Sequence, residues 1–158
     1  MQGTYAFMSD GLLIAATYSR DYLQSPVDDL YSFYHTLQWA AIFHNQEFVA
    51  KKVPFELQLL RKSLLGDQNS RSFATSKITA LLPLTPLKYG SVLAICQPVL
   101  RAWDLELQRL EIDWTNCQLA LERQKTVAEI YVSLFTTFAV RGVAALAELV
   151  HIYTKDMD

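Results

Sequence analysis

The chain has 158 residues, of which 51% are hydrophobic and 19% charged, and its formal net charge is −2. These totals predict one domain over residues 1–158 with a substantial core, and they exclude a disordered chain and a uniformly basic nucleic-acid binder. Only five glycines and five prolines are present, which favours helices over a many-turned β fold. We therefore predict an all-α fold, a compact bundle of five or six helices.

Capping residues delimit the first predicted helices. The first helix starts near residue 4 or 9 and ends near residue 22. Ser25 and Pro26 are favourable as N-cap and first-turn residues and begin a second helix that extends to about residue 50.

The third helix begins at Pro54 and ends at Gly66, a residue type favoured at helix C-termini. Residues 65–77, LGDQNSRSFATSK, are predicted to be a polar loop. A short helix near residues 75–82 follows and is stopped by the LLPLTP segment.

A long heptad-patterned segment dominates the C-terminal half. Apolar side chains recur at alternating spacings of three and four, at Leu93, Cys96, Leu100, Trp103, Leu107, Leu110, Trp114, Cys117 and Leu121. Pro98 is expected to kink this helix or to mark its true start. The pattern weakens at residues 123–125, and Thr126 and Glu129 have the spacing of a capping box, so a new helix is expected there. The alternative is one helix of more than 60 residues.

Residues 130–153 are apolar enough to raise the question of a membrane span. Their longest charge-free run has 11 residues, whereas a spanning helix needs roughly 20. Arg141, Glu148 and His151 also interrupt the segment, so we predict a buried helix of a soluble protein.

The expected location is the cytoplasm. Cys96 and Cys117 form neither a disulfide framework nor a zinc-ligand spacing, which is typical of a reduced intracellular protein. The N-terminal residues lack the basic region of a secretory signal.

No motif in the sequence predicts catalysis, and no cofactor is expected. The chain has no glycine-rich phosphate loop, nucleophile elbow or HExxH motif. A metal site built from His44, Glu47, Glu148 and His151 is the enzyme or metalloprotein hypothesis that stays open. The acidic residues Asp28, Asp29, Asp104, Glu106, Glu111 and Asp113 are expected to be helix-start charges and solvated faces rather than cation ligands.

Charge is distributed unevenly along the chain. Residues 1–50 carry a net −4, residues 51–101 a net +6 and residues 102–158 a net −4. The basic side chains of the middle segment are candidate phosphate contacts, because nucleic-acid backbone recognition depends on charge and hydrogen bonding. They are Lys51, Lys52, Arg61, Lys62, Arg71, Lys77, Lys88 and Arg101. The alternative is that these residues pair with the acidic segments inside the bundle.

A small helical bundle without a catalytic motif and with a basic strip resembles the small subunit of type I CRISPR effector (Cascade) complexes. The start, MQGTYAFMSDGLLIAA, enters apolar helix at once, as expected of a chain translated from an internal start in a larger gene. The resemblance implies a non-catalytic subunit of an RNA-guided DNA-targeting complex in antiviral defence. Such a subunit stacks with other subunits, including copies of itself, and holds DNA through backbone contacts.

Two hypotheses therefore precede the metalloprotein one. In the first, the basic middle segment binds nucleic-acid backbone, and the pairs Arg61→Ala/Lys62→Ala and Arg71→Ala/Lys77→Ala weaken binding with the fold intact. In the second, the protein is a structural adaptor whose heptad seam binds a partner helix without nucleic acid, and Leu107→Glu abolishes that binding.

Overall fold

The computed structural model describes residues 7–19, 22, 24–44, 48, 52–124 and 128–155. Within these residues the fold is a helical bundle, as predicted, and contains no strand. Its seven helices are α1 (Asp10–Tyr18), α2 (Pro26–Phe43), α3 (Phe55–Leu64), α4 (Gln68–Thr79), α5 (Pro86–Tyr89), α6 (Ser91–Gln124) and α7 (Ala128–Thr154).

The starts of α1 and α2 share one hydrogen-bond network. Ser25 caps α2 by accepting from Asp28 N at 3.2 Å, and the Asp28 carboxylate accepts from Ser25 N at 2.7 Å. The same carboxylate accepts hydrogen bonds from the hydroxyls of Ser9, the N-cap of α1, and Tyr22. Asp28 is therefore a buried capping residue that joins two helices, and α2 ends at Phe43 rather than near residue 50.

The prediction of a loop over residues 65–77 was wrong, because α4 begins at Gln68. Asp67 is its N-cap and accepts a hydrogen bond from Ser70 N at 2.9 Å. The helix buries Arg71, Ala74 and Ile78, so a charged residue occupies one position of its buried face. The single-turn α5 was also not predicted, which accounts for the higher helix count.

A buried glutamine connects the segment between α4 and α5 to α6. Gln97 is 5% exposed, and its Oε1 accepts a hydrogen bond from Leu84 N at 2.6 Å. Its Nε2 donates to the carbonyls of Ile78 and Leu82, at 3.1 Å in each case. Gln97 thus supplies hydrogen-bond partners to backbone N–H and C=O groups that have no partner within a helix.

The heptad seam of α6 lies in the core of the molecule. Between Leu93 and Trp114 all of its members except the half-buried Cys96 are buried, with exposures of 0–5% at Leu93, Leu100, Trp103, Leu107, Leu110 and Trp114. Helices α2, α4, α5 and α7 all pack on α6. The expectation that a partner helix binds this seam was therefore wrong, and Leu107→Glu would place a charge in the core. Pro98 lies inside the helix and does not mark its start.

The predicted separation of α6 and α7 is confirmed, since the two helices lie side by side. The Trp114 ring contacts the rings of Tyr131 and Phe138, with centroid distances of 5.6 and 5.4 Å, which one straight helix could not allow. Gly142 faces α2 closely enough that a Cβ atom there would lie 2.1 Å from Leu30 Cδ1. The proposed capping box at residues 126–129 lies partly outside the described residues.

The prediction that the apolar C-terminal helix is buried was wrong. Only Phe138 and Gly142 of α7 are buried, and just 11% of its most apolar window lies inside the bundle. Among the described helices, α7 alone is long and apolar enough to cross a membrane by length and composition. Its exposed apolar surface therefore requires an explanation.

Candidate functional site

Two of the three arginines of the predicted basic strip, Arg61 and Arg71, have structural roles. Arg61 Nε donates to the Ile42 carbonyl at 2.9 Å, its Nη2 donates to the His44 carbonyl at 3.3 Å, and its guanidinium lies over the Phe43 ring. Arg71 is 8% exposed and its Nη2 donates to the Met8 carbonyl at 3.1 Å. Both arginines donate to backbone carbonyls, so alanine variants of them remove structural contacts and would not test nucleic-acid binding alone.

The lysines of the basic segment are exposed. Lys62, Lys77 and Lys88 lie in the last turns of α3, α4 and α5, where a positive charge also complements the helix dipole. Lys52 is exposed before α3, Arg101 lines a groove beside Tyr153, and Lys51 lies outside the described residues.

The exposed lysines do not pair with the acidic segments within the described part of the chain. The two ion pairs there are Arg109–Glu106 at 3.4 Å and Arg141–Asp113 at 2.9 Å. Among the residues that the structure describes, the alternative of internal charge pairing therefore fails for Lys52, Lys62, Lys77 and Lys88.

A polar cavity of about 430 Å³ lies between the start of α1 and helices α2, α4 and α6. It is lined by charged and polar side chains that are far apart in sequence. Those that define its chemistry are Asp10, Tyr34, His35, Arg71, Asp104 and Glu111. Such a convergence of polar groups in a formed cavity is typical of a small-molecule site.

One wall of the cavity is acidic and comes from α6. Asp104 is 7% exposed, and its Oδ2 accepts a hydrogen bond from Gln108 Nε2 at 2.8 Å. Burial raises the pKa of the Asp104 carboxyl above its ordinary value. Glu111 accepts a hydrogen bond from the Tyr31 hydroxyl at 3.1 Å, and burial together with the Glu111 charge raises the pKa of Tyr31.

Another part of the cavity wall is formed by His35 of α2 and Arg71 of α4. Burial and the neighbouring Arg71 charge lower the pKa of His35 to about 4, so its imidazole is neutral at pH 7. Burial also lowers the pKa of Arg71, whereas the nearby Asp10 charge raises it. This wall therefore carries one cation with an anion beside it.

Tyr34 also lines the cavity, and its hydroxyl oxygen is buried. Its side chain is 1% exposed, and the hydroxyl has no hydrogen-bond partner within the described residues. Burial raises the pKa of Tyr34, so the phenol keeps its proton. An unsatisfied buried hydroxyl costs about 1–3 kcal/mol of stability.

The sequence contained one signal of this cavity that was not recognised. The polar residues Tyr31, Tyr34, His35 and Gln38 recur at helical spacing along α2. The neighbouring aromatic residues suggested core packing, and the acidic residues of α6 were assigned to solvated faces.

The metal-site hypothesis gains no support from the geometry. Within the described ranges, no three or more His, Cys, Asp or Glu side chains come together in an arrangement that could hold a metal ion. Glu148 and His151 are exposed on α7, and Glu47 lies outside the described residues.

An apolar strip runs along the exposed side of α7. Its members alternate in spacings of four and three and carry no charge. The α7 strip consists of Val132, Thr136, Ala139, Val143, Leu146, Val150 and Tyr153. Ala139 and Leu146 are half-buried, and Leu146 also packs against the core. Val132 is 62% exposed and Val143 is 57% exposed. Comparison with protein-family models, with curated proteins and with solved structures finds no match.

Proposed function

We propose that this protein is a non-catalytic subunit of a larger assembly and that the α7 strip joins two copies of the chain. The observation that carries the proposal is the exposure of a charge-free heptad row on a helix that is otherwise packed against α2 and α6. Exposed apolar patches of this kind mark interaction surfaces in folded proteins.

The pattern of the strip suits a second helix. Thr136, Val143 and Val150 occupy successive a positions and are all β-branched, a choice that favours two-stranded association. The row extends from Val132 to Tyr153, which is 21 steps along the helix, or about 32 Å at a rise of 1.5 Å per residue. A helix of the same length can therefore pack along all of it.

The remaining side of α7 argues against a bilayer as the occupant. Arg141, Glu148 and His151 lie on that side, and Arg141 binds Asp113 of α6 at 2.9 Å. Each charged residue placed at the centre of a bilayer costs about 2.5–3.5 kcal/mol. The charged residues on that side, which lie among exposed apolar residues such as Val140 and Ile152, favour a protein neighbour along the uncharged strip over a bilayer around the helix.

A second copy is the simplest partner, because an uncharged strip can face itself across a two-fold axis without repulsion. The strip is about 32 Å long and a helix about 10 Å wide, which gives roughly 320 Å² per chain. This area is well below the roughly 800 Å² per partner of a standard interface. We therefore expect a dimer that dissociates in the micromolar range.

Analytical ultracentrifugation from 1 to 200 µM tests this proposal. We expect the wild type to shift from monomer to dimer and Val143→Glu to stay monomeric. The matched control Thr137→Glu adds the same charge to the polar side of α7 and should dimerise like the wild type. A wild type that stays monomeric throughout, or a Val143→Glu variant that still dimerises, refutes the proposal. Flotation of that monomer with lipid vesicles would assign the strip to a membrane instead.

We propose nucleic-acid backbone binding as a second function of the same subunit. The exposed Lys62, Lys77 and Lys88, which have no carboxylate ion pair within the described residues, support it. Helix α3 packs on both α4 and α5, which keeps the three helices in one part of the molecule. Together with the resemblance to the small subunit of type I CRISPR complexes, this favours a role in an RNA-guided DNA-targeting assembly.

Fluorescence anisotropy with labelled single-stranded DNA, from 50 to 200 mM salt, tests this function. The triple variant Lys62→Ala/Lys77→Ala/Lys88→Ala should bind more weakly, and the slope of log affinity against log salt should fall by about 2. Lys155→Ala removes an exposed lysine from the end of α7 and serves as the control. Binding without salt dependence, or a triple variant equal to the wild type, would remove nucleic acid from the proposal.

A further inference from the structure

Three leucines between α4 and α6 are the most exposed large apolar residues in the described part of the chain. Leu81 is 78% exposed, Leu82 is 80% exposed, and Leu87 of α5 is 88% exposed. We call the surface that they form, within seven consecutive residues, the leucine tip. The apolar surface continues from the tip to the end of α7, because Leu81 and Tyr153 line the same groove.

The backbone that carries the leucine tip is fixed to α6. Gln97 Nε2 donates to the Leu82 carbonyl at 3.1 Å and to the Ala80 carbonyl at 3.4 Å, and Gln97 Oε1 accepts from Leu84 N at 2.6 Å. Leu84 is buried, and the proline on each side of it restricts the backbone further. These contacts hold Leu81 and Leu82 in solvent and prevent them from folding back onto the bundle.

The surroundings of the leucine tip are basic. No acidic residue occurs between positions 67 and 104. Lys77 and Lys88 are exposed at the ends of α4 and α5, and Arg101 is half-buried in the groove that Leu81 lines. Within the described residues, none of these three cations forms an ion pair with a carboxylate. The tip is therefore an apolar projection with positive charge around its base.

We propose that the leucine tip inserts into the surface of an anionic phospholipid membrane, where Lys77, Lys88 and Arg101 contact the lipid phosphates. Apolar side chains that enter the acyl boundary and cations at the level of the headgroups are the two contributions to peripheral membrane binding. The inference goes beyond the proposed function, because neither pairing through the α7 strip nor contact with a nucleic-acid backbone uses the three leucines.

The shape and charge of the tip favour a lipid surface over the other occupants. A protein neighbour would need a pocket of matching shape to cover leucines that are 78–88% exposed, whereas fluid lipid surrounds them without one. A nucleic acid would contact the lysines but leave the leucines in water. An anionic membrane meets both requirements, and each cation near its surface adds roughly fivefold to the affinity.

Flotation of the full chain with vesicles, at a protein concentration low enough for the chain to be monomeric, tests this inference. We expect the wild type to bind phosphatidylcholine vesicles that contain about 30% phosphatidylglycerol, and to bind pure phosphatidylcholine at least tenfold more weakly. Leu81→Ser/Leu82→Ser should weaken binding to the anionic vesicles at least tenfold. The matched control Ile112→Ser/Leu119→Ser removes two exposed aliphatic side chains elsewhere on α6 and should bind like the wild type.

The variants separate this face from the surfaces considered above. Leu81 and Leu82 are exposed, so their double variant should keep the fold, as circular dichroism checks, and should dimerise and bind DNA like the wild type. Val143→Glu changes the α7 strip and should still bind the vesicles.

Four results would overturn the inference and leave the dimer and DNA tests unaffected. They are equal binding to the two kinds of vesicle, equal binding by Leu81→Ser/Leu82→Ser and the wild type, loss of binding by Val143→Glu, and no binding of the wild type to anionic vesicles. The last result would assign the leucine tip to a protein neighbour.

Discussion

Replacement of the buried histidine provides the sharpest test of the cavity electrostatics. His35 is 9% exposed, and burial together with Arg71 lowers its pKa from 6.5 to about 4. Between pH 6.5 and about pH 4, His35 is mostly protonated in the unfolded chain but mostly neutral in the folded protein. The free energy of unfolding therefore decreases as the pH falls from 6.5 towards 4.

The size of the effect follows from the two pKa values. With 6.5 in the unfolded chain and about 4 in the folded protein, the loss of stability between pH 7.5 and pH 5 is about 2 kcal/mol. His35→Gln has no proton to bind at this position, so we expect it to lack this loss. Asp104 acts in the opposite direction, because its raised pKa means that the folded state binds a proton more readily than the unfolded chain.

Urea unfolding at pH 7.5, 6.0 and 5.0 measures the effect. The quantity to compare is the difference between wild type and His35→Gln at each pH, since the Asp104 contribution is present in both chains and largely cancels. His151→Gln, which removes an exposed histidine from α7, should follow the wild type. A difference between wild type and His35→Gln that stays constant from pH 7.5 to 5.0 would refute the reasoning.

Three further predictions test the packing and can be measured by urea unfolding. Leu107→Ala should lower the free energy of unfolding by about 2–5 kcal/mol, because Leu107 is fully buried. Its control, Leu105→Ala, changes a residue that is 46% exposed and should lower that free energy by less than about 1 kcal/mol. Equal losses would contradict the burial of the seam. Gln97→Leu should cost at least about 1–3 kcal/mol because it leaves buried backbone groups unsatisfied, and a neutral result would show that they have other partners. Gly142→Val should cost about 1–3 kcal/mol because its side chain overlaps Leu30, despite a gain in helix propensity, and unchanged stability would show that Leu30 can move aside.

Sequence patterns predicted the core more reliably than the surface. The three-and-four spacing of α6 identified residues such as Trp103 and Leu107 that are fully buried, and Ser25 was correctly recognised as the start of α2. These features depend on local periodicity and local hydrogen bonds, which the sequence encodes directly. The same local signals also separated α6 from α7.

The errors occurred where contacts between helices decide whether a residue is buried or exposed. In α4 the buried face includes Arg71, so the charge concealed the apolar spacing of Ala74 and Ile78. In α7 the composition correctly indicated an apolar helix, but composition cannot show how many neighbours cover it. Only the packing of α2 and α6 on one side of α7 shows that its other sides are exposed.

The core seam and the acidic wall of the cavity are two consequences of the same helix. Asp104 follows Trp103 directly, and Glu111 follows Leu110, so the burial of the two apolar residues fixes the rotation of α6 about its axis. That rotation places the two carboxylates in the same cavity as Tyr31, Tyr34 and His35 of α2. A substitution that shifted the seam would therefore also displace the acidic wall, although Leu107 itself does not line the cavity.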